Sequence, residues 1–240
     1  MTIRQGFGGL ALGLVVAVVA TGVATAQDAP KPKAHFLTPQ DYAPDTLLPA
    51  PPRDGSPKAL AELAEIQAIE RTRSPAQFAR ANHDEMLEDA HIFDEVLGSG
   101  DVLSRLPATL KLLNDVQVEE KAAATAAKTH FLRTRPWIID PALKVCAKDD
   151  PPQSAYPSGH ATMGFAMAVV LAQLAPRKAA AVMARAAEYA DNRLVCGMHF
   201  RSDVVAGQAL GTAMALKLMA TPDFLPEFDA AAREMKAAGF

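Results

Sequence analysis

The stretch that follows His160 would be apolar on nearly every side of a helix. Residues 161–175 contain no charged side chain, and Pro176 closes the run. A helix without a polar face cannot lie at a water-exposed surface, so it must be buried in the middle of the protein. The rest of the chain must therefore supply the elements that surround it.

The surrounding elements are predicted to be helices. Apolar residues recur at three- and four-residue steps after Lys58, and Ser74-Pro75 and Leu106-Pro107 are typical helix starts. The predicted helices run from 58, over 74–97, from 107 through 121–131 to a stop at Pro136, and over 177–190, 199–220 and 222–240. Gly207 and Gly211 are spaced for close helix contact. We see no strand pattern, so the predicted fold class is all-α, a single-domain helical bundle with a central buried helix.

The N-terminal part divides into two further segments. Residues 1–26 have the basic start, apolar middle and small-residue end of a secretory signal peptide, with cleavage expected after Ala26. An uncleaved membrane anchor is the alternative. Residues 27–57 are proline-rich and predicted to be extended, and residues 58–240 form the helical domain.

Charge and cysteine content narrow the partners and the compartment. Without the signal peptide, 23 basic and 27 acidic residues remain, a net charge of −4, which gives no reason to expect broad nucleic-acid binding. Export exposes Cys146 and Cys196 to oxidising conditions, so we expect a disulfide between them. Two separate buried thiols are the alternative.

The motif Pro157-Ser158-Gly159-His160 precedes the buried helix. A glycine turn at a helix start presents unpaired N–H groups to an anion, Ser158 adds a hydroxyl, and His160 can titrate near neutral pH. An ordinary helix cap beside a surface histidine would give the same pattern.

A second histidine is followed by a carboxylate four positions later. On a helix His199 and Asp203 would share a face, and a carboxylate bound to one ring nitrogen makes the other a better nucleophile or base. A plain surface pair is the alternative.

Three cations accompany these motifs. Arg135 and Arg193 can bind phosphate oxygens in pairs, and Lys128 offers a point charge. Each alone could be a solvated surface residue. Together with the two histidine motifs, each beside a predicted helix end, they indicate a phosphate site.

The complete pattern resembles a known signature. Lys128, six residues, Arg135-Pro136, then Pro157 to His160, then Arg193, five residues, His199, three residues and Asp203 is similar to the three-part signature of the type-2 phosphatidic acid phosphatase and vanadium haloperoxidase superfamily. The bacterial class A non-specific acid phosphatases are the most similar group, also in the Leu47-Leu48-Pro49 segment and the cysteine positions.

The resemblance implies roles for these residues. His199 would be the nucleophile, Asp203 would orient its ring, and His160 would be the general acid and base. The substrate phosphate would be held by Lys128, Arg135, Ser158, Gly159 and Arg193. No metal and no cofactor are needed. Residues 58–240 would then be a helical phosphatase domain.

Three positions depart from the family pattern. Asn192 stands where a serine usually precedes the arginine, and Met198 and Phe200 replace larger aromatics beside His199. Asn192 can still donate a hydrogen bond, whereas the other two leave the substrate preference open or are simply core residues.

The expected function is a periplasmic, metal-independent acid phosphatase of broad specificity, with phosphotransferase activity as a possible addition. Its partners would be small phosphate esters, without nucleic acid and without stable membrane insertion after cleavage, and it could be a homo-oligomer. The alternatives are a lipid phosphate or pyrophosphate phosphatase, a vanadium haloperoxidase, and an exported phosphate-binding protein without turnover.

Overall fold

In a computed structural model, residues 1–2 and 33–240 of the chain are described, and the predicted signal peptide lies almost wholly outside them. Within the described residues the secondary structure is helical, without strands. The α-helices are α1 Pro44–Leu47, α2 Pro57–Thr72, α3 Pro75–Met86, α4 Asp94–Leu97, α5 Pro107–Phe131, α6 Pro136–Ile139, α7 Gly159–Leu174, α8 Ala179–Val195, α9 Arg201–Met219 and α10 Leu225–Ala237. The all-α prediction is confirmed.

Helix α7 lies at the centre of the bundle. It packs against α5, α8 and α9, and most of its side chains are buried, as expected for a helix without a polar face. Helix α9 comes closest, because a Cβ at Gly207 would lie 2.6 Å from the Ser158 carbonyl oxygen and one at Gly211 would lie 2.2 Å from that of Thr162. The two glycines therefore allow contact between the helix backbones.

The described part of the proline-rich segment lies against the helices. Helix α1 is its one helical turn, and the backbone N–H groups of His35, Phe36 and Leu37 donate to the buried Glu119 carboxylate of α5. The Tyr156 hydroxyl donates to the Pro49 carbonyl. These bonds join the segment to the helix and the loop that carry the predicted site residues.

Two predicted helix boundaries were wrong. The helix expected over 74–97 ends at Met86, because the Leu87 and Glu88 carbonyls accept from Tyr189 and Gln117 instead of continuing the helix. The helix expected to stop at Pro136 ends earlier, at Phe131, where Leu132 adopts a left-handed conformation. Pro136 instead begins α6, since proline suits a first helical position.

The cysteines are paired as expected. Cys146 and Cys196 form a disulfide between positions separated by 50 residues. The backbone N–H of Cys146 also donates to the Cys196 carbonyl at 3.2 Å. The bridge joins the loop that leads to α7 with the turn that leads to His199.

Candidate active site

The N-terminus of α7 forms one side of the site. Ser158 caps the helix, its hydroxyl accepting from the Ala161 N–H at 3.3 Å, and its own N–H donates to the Asp203 carbonyl at 3.0 Å. Gly159 is the first helical residue, and a Cβ there would lie 3.4 Å from the Lys128 ammonium. The motif thus brings the N–H groups of a helix start next to a lysine, as an anion site requires.

His199 is buried and held by both ring nitrogens. Nδ1 lies 2.7 Å from the Ala155 carbonyl, and Nε2 lies 3.0 Å from Nη1 of Arg135. A carbonyl only accepts and a guanidinium only donates, so Nδ1 carries the proton and Nε2 carries a lone pair. Burial, followed by the charge of Arg135, holds the pKa of His199 well below its usual value. The ring is therefore neutral, and the lone pair on Nε2 faces the Arg135 guanidinium.

The expected hydrogen bond between His199 and Asp203 is not formed. His199 precedes α9 instead of sharing a helical face with Asp203, and its Nδ1 lies 3.6 Å from the carboxylate. Asp203 accepts from the Phe200 N–H at 2.8 Å and from the Arg133 guanidinium. Its effect on the ring is therefore indirect, because it fixes the backbone next to the histidine.

Arg135 is the cation closest to His199. Its guanidinium donates to the Ser154 hydroxyl and the Met198 carbonyl, and it pairs with Asp150 at 2.9 Å. Burial lowers its pKa. These bonds fix the guanidinium plane beside Nε2 of His199.

Arg193 lies deeper, on α8. It pairs with Glu85, and its Nε and Nη2 are buried without a hydrogen-bond partner among the described residues. Burial lowers its pKa to about 9. An unmatched buried guanidinium is costly, and an anion in the site could supply the missing acceptors.

His160 and Lys128 stand at the cavity itself. The His160 ring stacks on Tyr189, and its Nε2 lies 3.4 Å from the Glu88 carboxylate. Burial lowers the pKa of His160 to about 4, although Glu88 opposes the shift. Burial, and then Arg135, also lower the pKa of Lys128, which forms no ion pair with the described residues. A bound dianion would raise the pKa of both groups, because it favours their charged forms.

A cavity of about 190 Å³ opens above these groups. Five of the predicted site residues line it, namely Lys128, Arg135, Gly159, His160 and His199. Ser158, Arg193 and Asp203 are buried behind its wall. The structure therefore brings the three motifs together, with only part of the predicted set in direct reach of a ligand.

Sequence reasoning missed the partners of the cations. Arg133 is buried and pairs with Asp203 and, at 2.9 Å, with Glu62, while Glu85 and Asp150 pair with the two predicted arginines. The one usable signal was the position of Arg133, two residues before Arg135. Its partners lie 70 and 71 positions away, where no local pattern points to them.

The positions that depart from the family pattern have structural roles. The Asn192 amide donates to Asp84 at 2.7 Å, and Asp84 also binds the buried Arg185. Met198 and Phe200 are buried, and Phe200 packs under the Arg133 guanidinium at 4.3 Å. None of the three lines the cavity.

One described group has the composition of a cation site. Ligand atoms of His91, Asp94 and Asp101 lie within 4.8 Å of one another, away from the cavity. The hydrogen bond that His91 donates to Asp94 raises the pKa of His91, so the attraction between the histidine and the carboxylates accounts for the cluster.

An all-helical fold with two histidines and several cations around one cavity has the composition of a phosphate-binding site. Residues 118–225 match the PAP2 superfamily. In the described residues no helix is both long enough and apolar enough to span a membrane.

Proteins of similar sequence are named acid phosphatases. An acid phosphatase of Zymomonas mobilis is 27% identical over 95% of this chain and 89% of its own length. A non-specific acid phosphatase of Providencia stuartii is 29% identical over 85% of this chain and 86% of its own length. The crystal structure of LpxE from Aquifex aeolicus shares the fold, with a TM-score of 0.52 and 22% identity over 65% of this chain and 94% of that chain. The predicted similarity to PAP2-type acid phosphatases is confirmed, and it supports a phosphatase.

Proposed function

We propose that the protein is an exported acid phosphatase that hydrolyses phosphomonoesters through a phosphohistidine on His199. The observation that carries this proposal is the fixed tautomer of His199, whose Nε2 bears a lone pair beside Arg135 at the cavity. A neutral histidine in this state is a nucleophile ready for phosphorus.

In the first step Nε2 of His199 attacks phosphorus, and the ester P–O bond breaks. Lys128, Arg135 and the N–H groups at the start of α7 hold the non-bridging oxygens, where charge must be stabilised. Arg193 lies behind them, and its Nε and Nη2 have no hydrogen-bond partner among the described residues. The leaving oxygen takes a proton from His160.

In the second step water attacks the phosphohistidine, and the P–N bond breaks. His160, now neutral, accepts the proton of the water, and inorganic phosphate leaves. A pKa of about 4 in the empty site keeps His160 neutral over most of the pH range. A bound phosphate raises this pKa by its negative charge, so an acidic optimum is expected.

Export to the periplasm is part of the proposal. The N-terminal sequence has the form of a signal peptide, and the Cys146–Cys196 disulfide suits an oxidising compartment. A broad range of small phosphate esters is proposed because the similar proteins from Providencia stuartii and Salmonella typhimurium are named non-specific acid phosphatases.

The test is hydrolysis of phenyl phosphate by the purified protein. We expect activity that survives EDTA and is inhibited by vanadate, and we expect His199→Ala to lower kcat at least about a thousandfold. His130→Ala is the control, since this exposed α5 histidine pairs only with Asp45 and should leave kcat unchanged.

Two results would contradict the proposal. Full activity in His199→Ala would exclude this nucleophile, and phosphate binding without turnover by the wild type would indicate a binding protein. Turnover confined to phosphatidate vesicles would indicate a lipid phosphatase instead.

A further inference from the structure

The cavity continues from the phosphate site along one face of α5. Gln117, Glu120, Lys121 and Thr125 line it together with Lys128. These positions recur at three- and four-residue steps, so they follow one face of the helix. The residues beyond the phosphate site are mainly polar, and only Ala124 and Met163 add apolar lining there.

Glu120 stands out in this row because it has no partner. Its residue is 4% exposed, and its buried Oε2 accepts no hydrogen bond from the described residues. Lys121 and Lys128 act on it only through their charge, and burial raises its pKa well above the usual value. Burial therefore favours the neutral form of the carboxyl group, which has one O–H donor and one acceptor oxygen.

The neighbouring Glu119 shows that burial on α5 does not by itself leave a carboxyl group unmatched. Glu119 is fully buried, and its carboxylate accepts three backbone N–H groups from the segment that begins at His35. Glu119 thus has its partners within the chain, whereas Glu120 lines a cavity. A molecule that enters the cavity can therefore supply a hydrogen-bond partner to the Glu120 carboxyl group.

We propose that Glu120 is a specificity-determining residue that binds a hydroxyl group of the leaving alcohol, so that the preferred substrates are phosphate esters of sugars or polyols. This inference rests on the proposed phosphatase function. A hydroxyl group both donates and accepts a hydrogen bond, which matches a neutral carboxyl group. The mainly polar lining suits such a leaving group better than an acyl chain.

The position of Glu120 fits this role. Lys128 lies eight positions further along α5, which places the two Cα atoms about 12 Å apart along the helix axis. The side chains lean into the same cavity, so an alcohol of several atoms can lie between the phosphate and Glu120. Glu120 would touch the leaving alcohol and not the phosphorus.

The experiment compares glucose 6-phosphate with phenyl phosphate, which has no hydroxyl group on its ring. In Glu120→Leu we expect the ratio of kcat/KM for the sugar phosphate to that for phenyl phosphate to fall about tenfold, mainly through KM. Glu120→Gln keeps a donor and an acceptor, so it should retain most of the ratio. Glu119→Gln is the matched control, a buried glutamate on the same helix, and should leave the ratio unchanged.

An unchanged ratio in a folded Glu120→Leu variant would overturn the proposal, as would an equal loss with both substrates. If Glu120→Leu fails to fold, Glu120→Gln and Glu120→Ala decide, because an unchanged ratio in both would also overturn it. A wild-type protein that hydrolyses neither substrate would refute the phosphatase function itself, which keeps the two failures distinct.

Discussion

Arg133 balances two buried carboxylates behind the candidate active site. Its guanidinium pairs with Asp203 and Glu62 and stacks on Phe200. Asp203 in turn holds the Phe200 N–H, next to the proposed nucleophile His199. A buried ion pair adds little net stability, but removal of one partner leaves an uncompensated charge.

The first prediction at this scale follows from that asymmetry. Arg133→Met should lower the free energy of unfolding by about 3 to 5 kcal/mol, because Asp203 and Glu62 would remain buried without their cation. Urea denaturation monitored by circular dichroism measures this. Arg201→Met is the control, since its pairs with Glu65 and Asp191 lie at the surface, and it should cost less than about 1 kcal/mol. Equal losses of unfolding free energy in the two variants would contradict the prediction that the buried Arg133 contributes more than the surface Arg201.

Sequence reasoning identified the groups proposed to act on phosphate, but it did not identify the residues that hold those groups in place. Lys128, Arg135 and His199 lie in short motifs whose chemistry is visible locally. The carbonyl of Ala155 that binds His199 could not be predicted, because it is 44 positions away and every residue has a carbonyl. Glu62 and Asp84 were missed for a similar reason, because they lie far along the sequence from the residues that they bind.

At the scale of helices, the contact between α7 and α9 positions the site. Gly207 and Gly211 allow the backbone of α9 to lie against the first turns of α7, where Ser158 and Gly159 begin the helix. The spacing of the two glycines predicted this contact. The length of α3 was not predictable in the same way, since α3 ends where Gln117 and Tyr189, which are distant in sequence, donate hydrogen bonds to the carbonyls that follow it.

A methyl group at the contact should therefore separate the two helices. Gly211→Ala would place a Cβ 2.2 Å from the Thr162 carbonyl oxygen, so we expect a loss of about 3 kcal/mol in unfolding free energy and a lower melting temperature. Val205→Ala, on an exposed position of the same helix, should change stability by less than about 0.5 kcal/mol. A normal melting temperature in Gly211→Ala would mean that the helices are less tightly packed than described.

At the scale of the whole molecule, the site gathers ionisable groups that the fold keeps from water. His160 and His199 are buried, and burial lowers the pKa of each. In the unfolded chain both would titrate near the ordinary value of about 6.5. Between pH 6.5 and about 4 the two histidines therefore bind more protons in the unfolded state, whereas Asp203, whose pKa burial raises to about 7, and Glu120, whose pKa burial also raises, bind more in the folded state.

The contribution of His160 to stability should fall as the pH is lowered through that window. His160 alone contributes a loss of about 3 kcal/mol once the pH reaches about 4, since its pKa is lowered from 6.5 to about 4. Urea denaturation at several pH values measures this contribution, because the wild type should lose stability relative to His160→Asn as the pH falls. Inorganic phosphate should restore stability at acidic pH, because it binds the folded state and favours a charged His160. Identical slopes in the wild type and His160→Asn would contradict the assignment.

The disulfide has a consequence for how the chain matures. The sequence contains two cysteines, so only one pairing within a chain is possible. Oxidation of a single chain therefore cannot produce a scrambled isomer, and no reshuffling step is required before folding. The correct crosslink can close even in an unfolded chain. It then lowers the conformational entropy of the unfolded state by roughly the entropy of closing a loop of 50 residues. The only incorrect oxidation product would join two chains, which makes dilution sufficient to protect refolding.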